Sequence, residues 1–235
     1  NAASPTQYGS TVAIGNVVVS PSEFMPRLFA ENGRLLDSQG RITLDTPEAL
    51  RALENYRETY SYSDRTIYDF WKNALEAAMT VVFINYAYHI LNSQMSRIAG
   101  KLGFAPVPGG KPLLGGGVIG IAQSCTCPAA ACKFLEWLYA DLVAPVFTML
   151  GGLSPCRSAY SNRDISEQYP WLSTARKSFP TAQRRSNSTY YQNFSELQLE
   201  TILAAHVQQA VLGVCSPEEA LKQAQEDCNR YFQPW

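Results

Sequence analysis

The chain has 235 residues, 46% of them hydrophobic and 17% charged, with 19 Lys plus Arg against 20 Asp plus Glu and a formal net charge of -1. So weak a charge argues against non-specific nucleic-acid binding, which needs a basic surface to neutralise phosphates. The high apolar fraction argues against a disordered chain. The length allows one large core or two modest ones, since domains centre on about 100–150 residues.

In chain order, Asn1-Ala2-Ala3-Ser4-Pro5 lacks a basic region followed by an apolar stretch, so no signal peptide is expected in these residues. Val12 to Val19 is β-branched between turn residues and predicts a strand. Ser20-Pro21-Ser22 opens a helix with Phe24, Leu28 and Phe29 on one face, and Pro26 is expected to delay its start. Glu31-Asn32-Gly33 reads as a left-handed helix stop. Arg41 to Leu44 follows as a short extended piece.

Thr46-Pro47-Glu48 and Ser216-Pro217-Glu218-Glu219 each place a hydroxyl N-cap before Pro at the first helical position, where its missing N–H costs nothing. Glu219 adds a capping box. A helix is expected over Phe70 to Met79, and the apolar run Ala77 to Leu91 is too short and too interrupted to span a membrane. Gly100 to Pro108 reads as an extended crossover, Val118 to Ala122 as a buried strand, and Pro128 to Leu142 as a helix. Helices over Glu196 to Val211 and Pro217 to Phe232 close the chain. Alternating strands and helices predict an α/β fold.

Chemistry-bearing motifs are few. Gly115-x-Gly117-x-x-Gly120 matches a dinucleotide fingerprint in letters only, because the third glycine should open a helix and here it falls in an expected strand. The six cysteines include no C-x-x-C pair, and His89 and His206 lie far from them, so no metal site is expected. Cys132 and Cys228 read as small buried side chains. A hydrolase would have to use Ser154 or Cys156 as nucleophile and His206 as base, and no activity is expected of that set. Aromatic and amide groups at expected element ends, namely Phe83, Asn85, Tyr86, Tyr190, Tyr191 and Phe194, suit either an aromatic core or a sugar pocket.

Longer blocks say more. Glu76-Ala77-Ala78-Met79-Thr80, Gly100 to Gly110, Gly115-Gly116-Gly117, Ala131 to Leu138, Gly151 to Arg157 and Ser216 to Leu221 stand in one order. Together they resemble the family 1 extracellular solute-binding proteins, the sugar-binding subunits of ABC importers. Phe29 to Gly33 and Asp45 to Leu50 are similar to the same pattern.

The resemblance implies an α/β periplasmic-binding-protein type II lobe, mostly helical with a central mixed sheet, plus a returning segment of the other lobe. Residues 1–103 would be the first part of the second lobe, 104–153 the return to the first lobe, and 154–235 the completion of the second. Most of the first lobe would be absent, since family members are markedly longer. Carried over residue by residue, Ser20, Glu23 and Phe24 fall where second-lobe ligand contacts arise. Phe83, Asn85 and Tyr86 fall where the family commonly offers a stacking Trp, so Phe83 or Tyr86 would stack instead. Gly116, Arg157 and Tyr190 complete the implied ligand set.

The resemblance further implies a sugar ligand, ABC permease subunits as partners, hinge closure as mechanism, no catalysis, no cofactor, no metal and no nucleic acid. The place implied is the periplasm, or the cell exterior on a lipid anchor. A truncated form is expected to bind weakly and to self-associate through its exposed interlobe surface. The alternative is a sensory or regulatory module using the same lobe without transport.

Overall fold

The computed structural model describes residues 8–15, 19–64, 100–115, 119–150, 154–184 and 187–235. The chain divides into two compact units. One consists of Asn1–Val81, Val107–Leu114 and Thr181–Trp235, the other of Val82–Pro106 and Gly115–Pro180.

In the first unit, helix α1 spans Val19–Ala30 with Pro26 inside it. The strand expected over Val12 to Val19 is not formed by its described residues: 12–15 are irregular and Val19 is already helical. Val12, Ala13 and Ile14 are buried all the same. Side chains stand in for a ladder partner here, because the Ala13 N–H donates to Glu23 (2.9 Å) and Gln208 Nε2 donates to the Ile14 carbonyl (2.9 Å). Pro26 does not delay the helix either. It removes only the N–H that would bond the carbonyl of Ser22, and the buried face of Phe24, Met25, Leu28 and Phe29 outweighs that loss.

The expected left-handed stop is present, with Asn32 at φ 62°. Gly33 N–H bonds the Leu28 carbonyl (2.9 Å) and Asn32 N–H that of Phe29 (3.0 Å), a Schellman motif. Gly33 is needed for space: a Cβ there would overlap Leu28 and come within 2.9 Å of the Glu48 Cβ.

Helix α2 spans Pro47–Ser61, and Thr46 caps it by accepting from Ala49 N–H at 3.2 Å. Its buried residues Ala49, Ala52, Leu53, Tyr56 and Tyr60 follow helical spacing. A 3-10 turn at Pro108–Gly110 leads to strand β1 at Leu113–Leu114. This strand pairs in parallel with β2 at Gln183–Arg184, Leu113 opposite Gln183. Among the described residues the expected sheet is this small two-residue pair, with isolated antiparallel bridges at Leu36–Ile42 and Tyr191–Pro234. Two later helices, numbered below, complete the core with Leu199, Leu203, Val207, Ala220, Leu221 and Cys228.

In the second unit, α3 spans Pro128–Leu138, shorter than expected, and α4 begins at Val143 and runs to Met149. Pro145 explains the break. In one continuous helix it would leave a carbonyl unbonded, whereas in the first turn of α4 its missing N–H is harmless. Residues 119–122, expected in a buried strand, are irregular, with Ile119 56% and Ile121 38% exposed. Three short helices follow: α5 Arg157–Ser161, α6 Arg163–Gln168 and α7 Trp171–Ser178. They gather Ala159, Tyr160, Ile165, Trp171, Leu172 and Ala175 into a second core. Asn162 separates α5 from α6 by accepting from the N–H groups of Asp164 and Ile165.

The last two helices belong to the first unit: α8 Glu196–Val211, capped by Ser195, and α9 Pro217–Tyr231, which carries the expected capping box. Among the described residues no helix is long and apolar enough to cross a membrane.

Candidate functional site

The first turns of α1 hold three of the residues expected to touch ligand, and all three are buried: Ser20 at 1% exposure, Glu23 and Phe24 at 0%. Phe24 is part of the apolar core. Glu23 Oε1 accepts from the Ala13 N–H, and Arg27 Nη1 stands 3.7 Å from Oε2 while donating to the Glu23 backbone carbonyl at 2.7 Å. The Arg27 guanidinium lies over the Tyr56 ring, 4.4 Å from its centroid, as cations prefer over an aromatic face.

Burial pushes the Glu23 carboxyl up to about 7, against the opposing effects of Arg27, the Ala13 N–H and the Tyr56 hydroxyl. Burial likewise pushes the Tyr56 hydroxyl above its usual range. Among the described residues, Glu23 Oε2, Ser20 Oγ, Thr11 Oγ1, Arg27 Nε and the Tyr56 hydroxyl meet no partner at hydrogen-bond distance and angle, although Tyr56 and Glu23 are near enough to perturb one another. Five such atoms on neighbouring segments are unusual in a folded interior, where buried polar groups are bonded. Arg27 and Tyr56 were missed in the sequence. The i, i+4 spacing of Glu23 and Arg27 was legible there, but only the fold brings Tyr56 to them.

Tyr190 is half-buried at the edge of the first core. It meets Tyr191 edge-on at 4.9 Å between ring centroids, and Tyr191, Phe194 and Phe232 form an aromatic cluster within 6.4 Å. The Tyr191 hydroxyl accepts from the Ile42 N–H at 2.9 Å, tying that cluster to the hairpin at 36–42. Arg157 opens α5 in the second unit and is exposed. Phe83, Asn85, Tyr86 and Gly116 lie outside the described residues, as do the helix expected at 70–79 and the apolar run after it.

Each member of the alternative nucleophile set has its own partner within its unit. His206 Nε2 is 2.9 Å from Asp227 Oδ2, which also accepts through Oδ1 from Arg230. Ser154 Oγ accepts from the Cys156 N–H, and the Cys156 thiol faces the Tyr139 carbonyl. Among the described residues no three His, Cys, Asp or Glu gather as a metal site.

The cysteines differ sharply in access. Cys228 is fully buried as expected, and burial pushes its thiol up to about 12. Cys132, expected in a core, is exposed on α3 together with Cys127 at its N-cap. The reason is that α3 buries no residue within its own unit. Maleimide labelling at pH 8, read by mass spectrometry, is therefore expected to mark Cys127 and Cys132 within minutes and Cys228 only after unfolding.

No family model matches the chain. Solved structures do. A maltose-bound MalE3 from T. maritima superposes with a TM-score of 0.73 at 22% identity, over 95% of this chain and 59% of that one. The sugar-binding protein MalE from Xanthomonas citri gives 0.75 at 16% identity, over 97% and 59%. UgpB from Mycobacterium tuberculosis, in complex with glycerophosphocholine, gives 0.74 at 17% identity, over 97% and 58%. The chain thus spans about three-fifths of the length of the structures it matches. Over that length it has the fold of the type II periplasmic binding proteins.

Proposed function

We propose that the chain is the larger part of the substrate-binding component of an ABC importer, taking up a carbohydrate or related small solute between two lobes by hinge closure. The observation that carries this reading is the fold match over 95–97% of the chain to proteins solved with maltose and glycerophosphocholine and to a MalE. Closure works as a population shift: the ligand binds the closed form better and so draws the hinge toward it, and the permease in the membrane recognises that form. Such a protein holds its solute without transforming it, outside the cytoplasmic membrane.

Within this reading, residues 104–153 return to the other lobe. The surface of α3 and α4 supports it: Trp137 is 56%, Leu142 87% and Leu150 77% exposed, an apolar face of the kind a further lobe would cover. Ser20, Glu23, Phe24, Phe83, Asn85, Tyr86, Gly116, Arg157 and Tyr190 are the proposed ligand-side residues.

The test is titration calorimetry with maltose, mannitol, tagatose and glycerophosphocholine. It is run on this chain and on one extended upstream to the length of the matched structures. The extended chain is expected to bind one of them at micromolar affinity or better, and the 235-residue chain at least a hundredfold more weakly, with self-association seen by sedimentation. Tight binding by the short chain, or turnover of a sugar by either, overturns the reading.

A further inference from the structure

The first turns of α1, proposed above as ligand-side, are joined to the rest of that helix by an incomplete ladder. Pro26 has no N–H to give the Ser22 carbonyl. Arg27 reaches back across that point, and its Nη1 donates to the Glu23 carbonyl at 2.7 Å. The same guanidinium lies 4.4 Å from the centroid of the Tyr56 ring on α2 and 3.7 Å from Glu23 Oε2. Glu23 Oε1 accepts from the Ala13 N–H at 2.9 Å. One series of contacts thus runs from segment 12–14 through α1 to α2.

We propose that Glu23 and Arg27 are positioning residues: together they fix the first turns of α1 against segment 12–14 and α2, and Glu23 serves the site without touching the solute. The part about solute rests on the transport reading, and the bracket between the three elements does not.

The geometry suits that role better than direct contact. The Glu23 side chain has no exposed surface, and Oε1 is already engaged by a backbone N–H. Arg27, whose side chain is 12% exposed, uses one planar group both to donate to a carbonyl and to cover an aromatic ring, which a lysine ammonium cannot do. Gln208 of α8 holds the neighbouring Ile14 carbonyl at 2.9 Å, so segment 12–14 keeps one side-chain partner when Glu23 is replaced. Phe24, Leu28 and Phe29 keep α1 in the core in either case. Loss of the bracket is therefore local, not a general loss of the fold.

The test is amide hydrogen exchange of the 235-residue chain, read by mass spectrometry of peptides covering 10–15 and 19–24, with 217–231 of α9 as reference. Glu23→Leu fills the site but leaves a buried N–H unbonded, so exchange in 10–15 is expected to rise at least about tenfold while α9 stays within about twofold. Glu23→Gln keeps an acceptor for the Ala13 N–H and is expected to stay within about threefold of the unsubstituted chain. Arg27→Met keeps an apolar stem and is expected to speed 19–24 but not α9. No rise in 10–15 with Glu23→Leu, or an equal rise in all three peptides, overturns the proposal. Should Glu23→Leu fail to fold, the Ala13 amide of the unsubstituted chain decides. It is expected to exchange among the slowest of segment 10–15, and exchange at the rate of an open amide overturns the proposal.

The solute part is read on the upstream-extended chain with maltose, mannitol, tagatose and glycerophosphocholine as probes. Glu23→Gln is expected to keep affinity within about threefold and Glu23→Leu to lose at least about tenfold, because only the second frees the backbone. An equal loss in both marks a direct contact and overturns that part. Binding of none of the four by the unsubstituted extended chain counts against the transport reading, and the exchange pattern still decides the bracket.

Discussion

Phe24→Ala is expected to destabilise the first unit by about 3–5 kcal/mol, the range for emptying a fully buried aromatic site. Phe24 has no exposed surface and sits in the core formed by α1, α2, α8 and α9. Total stabilities of domains are about 5–15 kcal/mol, so one substitution would consume a large share. Phe24→Leu keeps most of the volume and is expected to cost under about 1.5 kcal/mol. The measurement is urea denaturation followed by far-ultraviolet circular dichroism. A Phe24→Ala chain within about 0.5 kcal/mol of the unsubstituted one would mean that the side chain is not part of the core, against its full burial there.

The second large effect is expected at Gly109. It sits at φ 77°, a conformation that costs a residue with a Cβ about 1–2 kcal/mol. A Cβ there would also overlap the Ala30 side chain and come within 2.9 Å of the Ala30 Cα, where α1 ends. Backbone cannot swing aside as a flexible side chain can, so overpacking adds about 1–3 kcal/mol. Gly110 provides the control. It has φ 65° but nothing within 4 Å of a Cβ, so Gly110→Ala carries only the backbone strain. Gly109→Ala is expected to exceed Gly110→Ala by at least about 1 kcal/mol in the same denaturation. Equal losses would show that the 107–114 segment does not press on α1.

Elements whose signals are local were legible in the sequence. The helices starting at Pro47 and Pro217 follow from a hydroxyl cap and a proline whose effects are confined to one turn. Helix α8 begins and ends where its apolar spacing does. The stop at Asn32 is equally local, because a left-handed residue and two backbone bonds complete it. Strands were not legible. A β-branched run states a preference for extended backbone, and whether it becomes a strand depends on a partner from any part of the chain. Val12 to Ile14 found side-chain partners, and Ile119 to Ala122 stayed irregular. The short helices α5 to α7 escaped notice for the converse reason: five to eight residues are too few to show a period.

The candidate site divides in the same way. Ordered blocks of residues pointed to the solute-binding fold, and they named the start of α1 because such blocks are a property of the chain alone. Composition set the weak charge and the large apolar fraction. Only the tertiary structure decided that Glu23 is buried with Arg27 and Tyr56 around it, since Tyr56 is brought there by α2 packing across α1. Only the tertiary structure left the apolar face of α3 and α4 uncovered, because coverage is a relation between segments and no single segment encodes it.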